Sequence, residues 1–174
     1  LNSSCPNVAW GRDRDNDAHL VKLLRELGRR RSRPLFVKLP PFRADVEREV
    51  VLALAAIAQE EGTDALTVSN TVPVLEPRVS TGTGGLSGHA LLEGTLTNVR
   101  LVRRATGGGI PINASGGIST AEEALAAIEA GATTVQVYTG LVFRGPAIVG
   151  ELTRGLGDAL RSRRIDVAEL VGTG

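Results

Sequence analysis

The stretch that decides the fold is IPINASGGISTAEEALAAIEAGATTVQV, residues 110–137. Its first apolar run predicts a strand at Ile110–Ala114, in which Pro111 leaves a gap in the hydrogen-bond ladder. The segment that follows predicts a helix at Ser119–Ala130, and Thr133–Val137 predicts the next strand. A strand, a helix and a second strand in so short a span are typical of a parallel β-α-β unit.

The same alternation of apolar runs and helical patterns continues on both sides of this unit. In chain order we expect a strand ending near Asn2, a strand at Leu35–Leu39, a helix at Asp45–Glu61, a strand at Ala65–Ser69, a long loop to about Leu92, a helix at Thr95–Thr106 and, after the central unit, a helix at Pro146–Arg161. A strand followed by a helix therefore occurs about five times, which implies parallel strands with right-handed crossovers. Two architectures fit: an open doubly wound sheet, or the later part of an eightfold barrel, which takes about 250 residues.

Bulk composition narrows the function classes. The 174 residues suffice for one domain with a sizeable core, and 42% of them are hydrophobic. Lysine and arginine total 20 and the acidic residues 19, so nothing indicates a nucleic-acid or anionic-membrane partner. One cysteine excludes an internal disulfide, and the two histidines form no metal-ligand pattern. The chain opens with Leu1, already at a strand exit, so we expect that its N-terminal half is missing.

The lone cysteine lies in the segment Asn2-Ser3-Ser4-Cys5-Pro6-Asn7, directly after the first predicted strand. A free thiol has a pKa of about 8.5, so Cys5 needs assistance to act as a base near neutral pH. An inert buried cysteine is the alternative interpretation. Pro6 fixes the backbone beside the thiol, and the amides of Asn2 and Asn7 can donate and accept hydrogen bonds together. This context favours a proton acceptor beside a bound planar ring.

Polar residues also end the next two predicted strands. An apolar strand that ends in Lys38 is unusual, because a charge in a core is costly unless it is paired. Lys38 either extends its amine to solvent or places its own positively charged amine against an electron-rich ring. Ser69-Asn70-Thr71 are either simple turn residues or part of a polar clamp for the same ring.

Two glycine-containing turns predict a phosphate site. Ser115-Gly116-Gly117 precedes the helix for which Ser119 and Glu122 form the predicted capping box and Gly131 the stop signal. Free amides and the positive end of the helix dipole are expected to converge there. Tyr138-Thr139-Gly140 follows the next strand and can present further amides to the same anion. Phosphate sites after the last two strands are frequent in eightfold barrels.

The glycine-rich segment Gly84–Gly88 is either a surface loop or a place where the backbone approaches a ligand closely. His89, which follows it, is expected to be exposed to solvent.

With these motifs the chain resembles the dihydroorotate dehydrogenases, flavin mononucleotide (FMN) enzymes built on an eightfold barrel. The resemblance spans essentially the whole chain and rests on Asn2–Asn7, on Thr83–Gly88 (TGGLSG) and on Val135–Leu141 (VQVYTGL). It implies an α/β TIM (β/α)8 barrel, of which strands 4 to 8, about five β-α units, are present. Residues 1–174 would form a single FMN-binding barrel domain that lacks its N-terminal half.

The resemblance also implies the roles of individual residues. Cys5 is implied to be the catalytic base, and no metal is implied. The residues implied to bind the pyrimidine are Asn2, Asn7, Asn70 and Thr71. Those implied to bind the flavin are Asn2, Lys38, Ser69, Gly88, Gly116, Gly117, Tyr138 and Thr139. Cys5 would take the proton from C5 of dihydroorotate while hydride leaves C6 for N5 of the flavin, and Lys38 would stabilise charge at the flavin N1–O2 side.

The implied function is the oxidation of dihydroorotate to orotate in pyrimidine, and hence UMP, biosynthesis. The alternatives are a related flavin-dependent dihydropyrimidine reductase or dehydrogenase, or an inactive half-barrel. The electron acceptor stays open. A cysteine base resembles the soluble class, which uses fumarate or an iron–sulfur subunit, whereas the glycine loop and the stretch Tyr138–Pro146 resemble the membrane-associated quinone class. We expect a cytoplasmic protein, either free or peripheral on the inner face of a membrane, that can form a homodimer.

Overall fold

A parallel sheet covered by helices makes up most of the described chain. The structure, a computed structural model, describes residues 1–2, 16–42 and 45–174. The strands are β1 (Phe36–Lys38), β2 (Ala65–Val68), β3 (Val72–Leu75), β4 (Thr83–Leu86), β5 (Ile112–Ser115) and β6 (Thr134–Gln136). The helices are α1 (Asn16–Arg30), α2 (Asp45–Glu60), α3 (Leu92–Ala105), α4 (Ala121–Glu129), α5 (Thr139–Arg144), α6 (Ala147–Arg163) and α7 (Val167–Leu170), with a 3-10 turn at His89–Leu91.

The order of the parallel strands decides between the two predicted architectures. β1, β2, β5 and β6 are neighbours in chain order, and Leu1 extends the sheet beyond β1 because its carbonyl accepts the Lys38 amide at 2.8 Å. A doubly wound sheet reverses its strand order at a switch point, and the described strands contain no reversal. Right-handed crossovers that always step in one direction put the helices on one face, and α1, α2, α3 and α4 pack side by side in succession. The prediction of an α/β barrel arrangement is confirmed.

The two faces of the sheet differ in polarity. Leu66 and Ile112 are register partners, and both are fully buried in the core against the helices. Each such side chain stabilises the fold by about 1.5–3 kcal/mol. On the opposite face the register aligns Lys38 with Thr67 and Thr67 with Asn113. Polar side chains thus line the inner face of the sheet toward the carboxyl ends of its strands.

Helix α4 corrects the predicted capping box by one position. Thr120, and not Ser119, is the N-cap: its hydroxyl accepts the Glu123 amide at 3.2 Å, and the Glu123 carboxylate accepts the Thr120 amide at 3.0 Å. The same carboxylate oxygen also accepts the Ser119 amide at 2.6 Å, so Glu123, and not Glu122 as predicted, completes the capping box. Gly131, with φ 119°, follows the end of α4 as predicted.

Two further predictions differ from the structure. The strand predicted from Ile110 begins only at Ile112, so Pro111 lies just before β5, where its carbonyl accepts the Leu66 amide at 2.9 Å. The long loop predicted after Ser69 contains the antiparallel hairpin β3–β4, in which Pro73 is paired with Gly85. None of the helices in the described ranges is long and apolar enough to cross a bilayer.

Candidate active site

A cavity of about 600 Å³ opens at the carboxyl ends of the parallel strands, and we call it the strand-end cavity. Its size lies in the range of about 300–1,000 Å³ that is usual for sites of cofactors and small ligands. The predicted site residues that line it are Lys38, Ser69, Asn70, Thr71, Gly88, Gly116, Gly117, Tyr138 and Thr139. The fold therefore brings nine predicted positions from five separate segments to one cavity.

Lys38 reaches the cavity from the last residue of β1. It is half-buried, and burial lowers the pKa of its amine below the ordinary value of 10.5. Asn2 forms a parallel β-bridge with Lys38. This predicted site residue therefore lies directly beside the end of β1. Cys5 and Asn7 lie outside the described residues, and their roles stay predictions.

Residues Ser69-Asn70-Thr71 cross from β2 to the hairpin and form one wall of the cavity. The Ser69 amide donates to the Ser115 carbonyl at 2.9 Å, which joins this wall to the loop after β5. Asn70 Oδ1 accepts the Thr71 amide at 2.9 Å. The hairpin folds back closely over this segment, since a Cβ at Gly85 would lie 2.5 Å from Thr71 Oγ1.

The diglycine turn after β5 requires glycine at both positions. Gly116 has φ 139° and Gly117 has φ 81°, conformations that are strained for other residues. A Cβ at Gly116 would lie 2.4 Å from Thr95 Oγ1, and one at Gly117 would lie 2.5 Å from the Leu92 nitrogen. The turn thus packs tightly against the start of α3 while its other side lines the cavity.

Some of the amides at the start of α4, where free amides were predicted, are bonded within the protein. Both the Ser119 and Thr120 amides donate to the Glu123 carboxylate, and the Glu123 amide donates to Thr120 Oγ1. These three amides are therefore not available to an anion in the cavity.

Two residues of the cavity wall, His89 and Arg144, did not appear among the predicted site residues. His89 is largely exposed, as predicted, yet it lines the cavity and its Nδ1 lies 3.0 Å from Glu123 Oε1. Arg144, at the end of α5, donates from Nη1 to the Ser119 carbonyl at 2.6 Å. Gln136 also lines the cavity and was missed. It is a polar residue at the end of a strand, on the same face as other polar residues, and this pattern could have identified it.

The other ionisable clusters carry no metal site. Among residues 1–2, 16–42 and 45–174, no group of three histidine, cysteine, aspartate or glutamate side chains is placed to hold a metal ion.

The strand order is that of part of a (β/α)8 barrel, and the cavity lies at the carboxyl ends of the strands, where such barrels carry their ligand sites. Residues 1–160 match the family model described as dihydroorotate dehydrogenase. The chain belongs to the dihydroorotate dehydrogenase family.

Similar proteins agree with this assignment. A dihydroorotate dehydrogenase (quinone) of Nautilia profundicola is 36% identical over 164 residues, which cover 92% of this chain and 44% of the relative. The dihydroorotate dehydrogenase (quinone) of Brucella ovis is 40% identical over 144 residues, covering 80% of this chain and 39% of the relative. The crystal structure of ligand-free DHODH from Eimeria tenella superimposes with a TM-score of 0.82 at 32% identity, covering 99% of this chain and 54% of that one. The chain thus spans about two fifths of these curated relatives and about half of the solved structure.

Proposed function

We propose that this protein takes part in the FMN-dependent oxidation of dihydroorotate to orotate, a step of pyrimidine biosynthesis. The observation that carries the proposal is the strand-end cavity. The family resemblance assigns ten of the described residues to the flavin or the pyrimidine. All of them except Asn2 line this one cavity. Residues far apart in sequence would not meet at a single cavity if the assignment were accidental.

The cavity wall has groups that suit the phosphate and the ring of FMN. The glycine turn at Gly116–Gly117 allows close backbone approach and suits the phosphate, and Thr139, which contacts Gly88, also lines the cavity. Half-buried Lys38 supplies a cation for the electron-rich side of the ring. Tyr138, Leu91 and Ile118 add apolar wall between these two ends.

The protein's own groups would orient the substrate and move its proton. FMN, when bound, supplies the two-electron acceptor for the hydride that leaves C6 of dihydroorotate. Asn70 and Thr71 line the cavity next to Lys38 and would hold the pyrimidine ring by hydrogen bonds, together with Asn2 and, from the sequence, Asn7. Such positioning lowers a barrier by several kcal/mol in general, up to about 7–11 kcal/mol. Cys5 would accept the proton from C5 as thiolate.

A quinone is the electron acceptor that the comparisons favour. Both curated relatives described above carry quinone in their names. Two large side chains that line the cavity at α5, Tyr138 and Phe143, are also 75% and 83% exposed. An apolar acceptor would find a matching surface there. Fumarate, an iron–sulfur subunit, a homodimer and the cytoplasmic or peripheral location stay predictions.

Turnover with chosen substrates and acceptors tests the proposal. The purified protein should carry a flavin absorbance band near about 450 nm and should convert dihydroorotate to orotate with a quinone, but not with fumarate. Cys5→Ala should keep the flavin band and lose steady turnover near neutral pH. A protein that reduces uracil and leaves dihydroorotate untouched would favour the dihydropyrimidine alternative, and one without any flavin band would favour the inactive half-barrel.

A further inference from the structure

A row of polar side chains crosses the inner face of the sheet below the strand-end cavity, and we call it the polar row. It consists of register partners on four neighbouring strands: Lys38, Thr67, Asn113 and Thr134. Two residues further along three of these segments, the same face lines the cavity with Ser69, Ser115 and Gln136. The polar row therefore forms the layer directly beneath these cavity-lining positions.

This row differs from the usual filling of a barrel. The interior layers of (β/α)8 barrels consist mainly of branched apolar side chains. A polar group in such a layer costs free energy unless it is hydrogen-bonded. Packing against the helices does not require Asn113, because Ile112 and Ala114 on either side of it are the fully buried residues of β5. The polar row therefore needs an explanation other than packing.

Asn113 is the centre of the hydrogen bonds in this layer. Its Nδ2 donates to Thr67 Oγ1 at 3.4 Å and to Gln136 Oε1 at 3.4 Å. Its Oδ1 accepts the Thr134 hydroxyl at 3.0 Å. Since the amide is bonded through both its nitrogen and its oxygen, these contacts fix the plane of the Asn113 side chain.

Gln136 is the member of this network that reaches the ligand site. It is the last residue of β6 and lines the strand-end cavity. Glutamine is among the side chains that lose the most rotamer freedom when they are ordered. The bond from Asn113 restricts Gln136 before a ligand binds, so less freedom is lost on binding.

We propose that Asn113 is a positioning residue that holds the Gln136 amide against the polar edge of the bound flavin ring. The inference deepens the proposed function and rests on it for the identity of the ligand. The pyrimidine part of the flavin ring alternates carbonyl oxygens with an N–H group, and a primary amide offers a donor and an acceptor side by side. Asn113 is not among the described residues that line the cavity, so its effect on the flavin passes through Gln136.

A double-mutant cycle separates positioning from a general structural effect. It uses Asn113→Leu, Gln136→Met and the two combined, with dissociation constants measured by quenching of flavin fluorescence on the purified, flavin-depleted protein. Each single substitution should weaken FMN binding by about 2–10-fold. The combined variant should bind FMN within about twofold of Gln136→Met, because Asn113 has no effect once its partner is gone.

Two comparisons complete the design. Riboflavin should lose affinity by the same factors as FMN, since the contact is to the ring that both flavins share. Thr153→Val is the matched control: its hydroxyl bonds the Val149 carbonyl at 2.8 Å on the exposed side of α6, and it should leave both affinities unchanged.

A structural role for Asn113 predicts a different result. If the combined variant loses the product of the two single factors, Asn113 acts independently of Gln136 and the inference is wrong. Unchanged flavin affinity in Asn113→Leu, or a loss for FMN without a loss for riboflavin, also contradicts it. If Asn113→Leu does not fold, Thr134→Val takes its place: it should weaken binding by about 2–5-fold in the wild type but not in Gln136→Met, and equal effects in both backgrounds overturn the inference.

Failure of the proposed function gives a distinguishable outcome, because the flavin affinities are measured without dihydroorotate. If the two substitutions are coupled but dihydroorotate leaves the bound flavin oxidised, the positioning role stands and the proposed reaction does not. If dihydroorotate reduces the flavin while the two substitutions act additively, the reaction stands and the positioning role does not. A protein that binds neither flavin contradicts both.

Discussion

The diglycine turn gives the sharpest prediction, because its backbone conformation and its contacts can be separated by mutation. Gly117→Ala places a methyl group on a residue with φ 81°, and the new Cβ would lie 2.5 Å from the Leu92 nitrogen and 2.8 Å from its Cα. The left-handed conformation costs about 1–2 kcal/mol for a residue other than glycine. The overlap with α3 backbone, which cannot move aside as a side chain would, adds about 1–3 kcal/mol. We expect a total loss of about 2–5 kcal/mol in the free energy of unfolding.

Two other glycines provide matched controls. Gly107 has φ 57° and nothing within 4 Å of its ideal Cβ, so Gly107→Ala should show the conformational strain alone, about 1–2 kcal/mol. Gly28 lies in α1 with open space around its Cβ, so Gly28→Ala should stabilise the protein by about 0.5–1 kcal/mol.

Urea unfolding followed by far-UV circular dichroism measures all three variants, and FMN affinity is measured on the same samples. Gly117→Ala should also weaken FMN binding by at least about tenfold, because the turn must shift away from α3 and so changes its position in the cavity wall. If Gly117→Ala is no less stable than Gly107→Ala, the close approach of the turn to α3 is wrong. If FMN affinity is unchanged, the turn does not hold the phosphate.

Three further predictions concern single side chains. Lys38→Met should slow reduction of the bound flavin by dihydroorotate about 10²–10³-fold in stopped-flow absorbance, whereas Lys22→Met, which replaces the only other lysine and lies exposed on α1, should leave the rate unchanged. Thr120→Ala should lower the free energy of unfolding by about 1 kcal/mol in urea titrations, and an unchanged midpoint would contradict the cap that it forms with Glu123. The Leu35 amide, at 2.7 Å, and an adjacent guanidinium hold the pKa of Asp64 below its usual 3.8, so its stabilising effect is present above about pH 4 and is lost as pH falls through the lowered value. Asp64→Asn should therefore melt below the wild type at neutral pH and at a similar temperature in strong acid, and a difference that persists in acid would contradict this sign.

The sequence predicted the order of strands and helices well because the burial pattern is strong. The helix α2 (Asp45–Glu60) begins at the predicted residue and ends one residue early, and Gly62 follows with φ 72°. The strands β1 and β2 lie inside their predicted ranges, since short apolar runs bounded by proline or polar residues leave little choice. Local patterns left a barrel and a doubly wound sheet open; the family resemblance implied the barrel, and the observed strand order confirms it.

The hairpin β3–β4 was missed for a physical reason. Its strands contain Pro73, Gly84 and Gly85, which have low intrinsic preference for a strand and predict a loop. Tertiary contact overrides that preference, because the glycines let the second strand pass close to Thr71. The short helix α5 was read only as a turn, since six residues give too little periodicity.

The capping box of α4 was predicted as the correct motif but one residue too early in the sequence. The segment Ser119-Thr120-Ala121-Glu122-Glu123 contains two pairs with the S/T-x-x-E spacing, and sequence spacing gives no preference between them. The structure uses the second pair, and Glu123 Oε1 then lies 3.0 Å from Nδ1 of His89, which lines the cavity. His89 and Arg144 were therefore not recognisable as site residues until their contacts at the start of α4 were known.

The most direct measurement is a crystal structure of the protein purified with FMN. We predict that one FMN fills the strand-end cavity, with its phosphate within hydrogen-bond distance of the Gly116–Gly117 turn and its ring beside the Lys38 amine. An FMN bound elsewhere on the protein, or one whose phosphate lies beside Lys38 and whose ring lies at the diglycine turn, would contradict the assignment of this cavity.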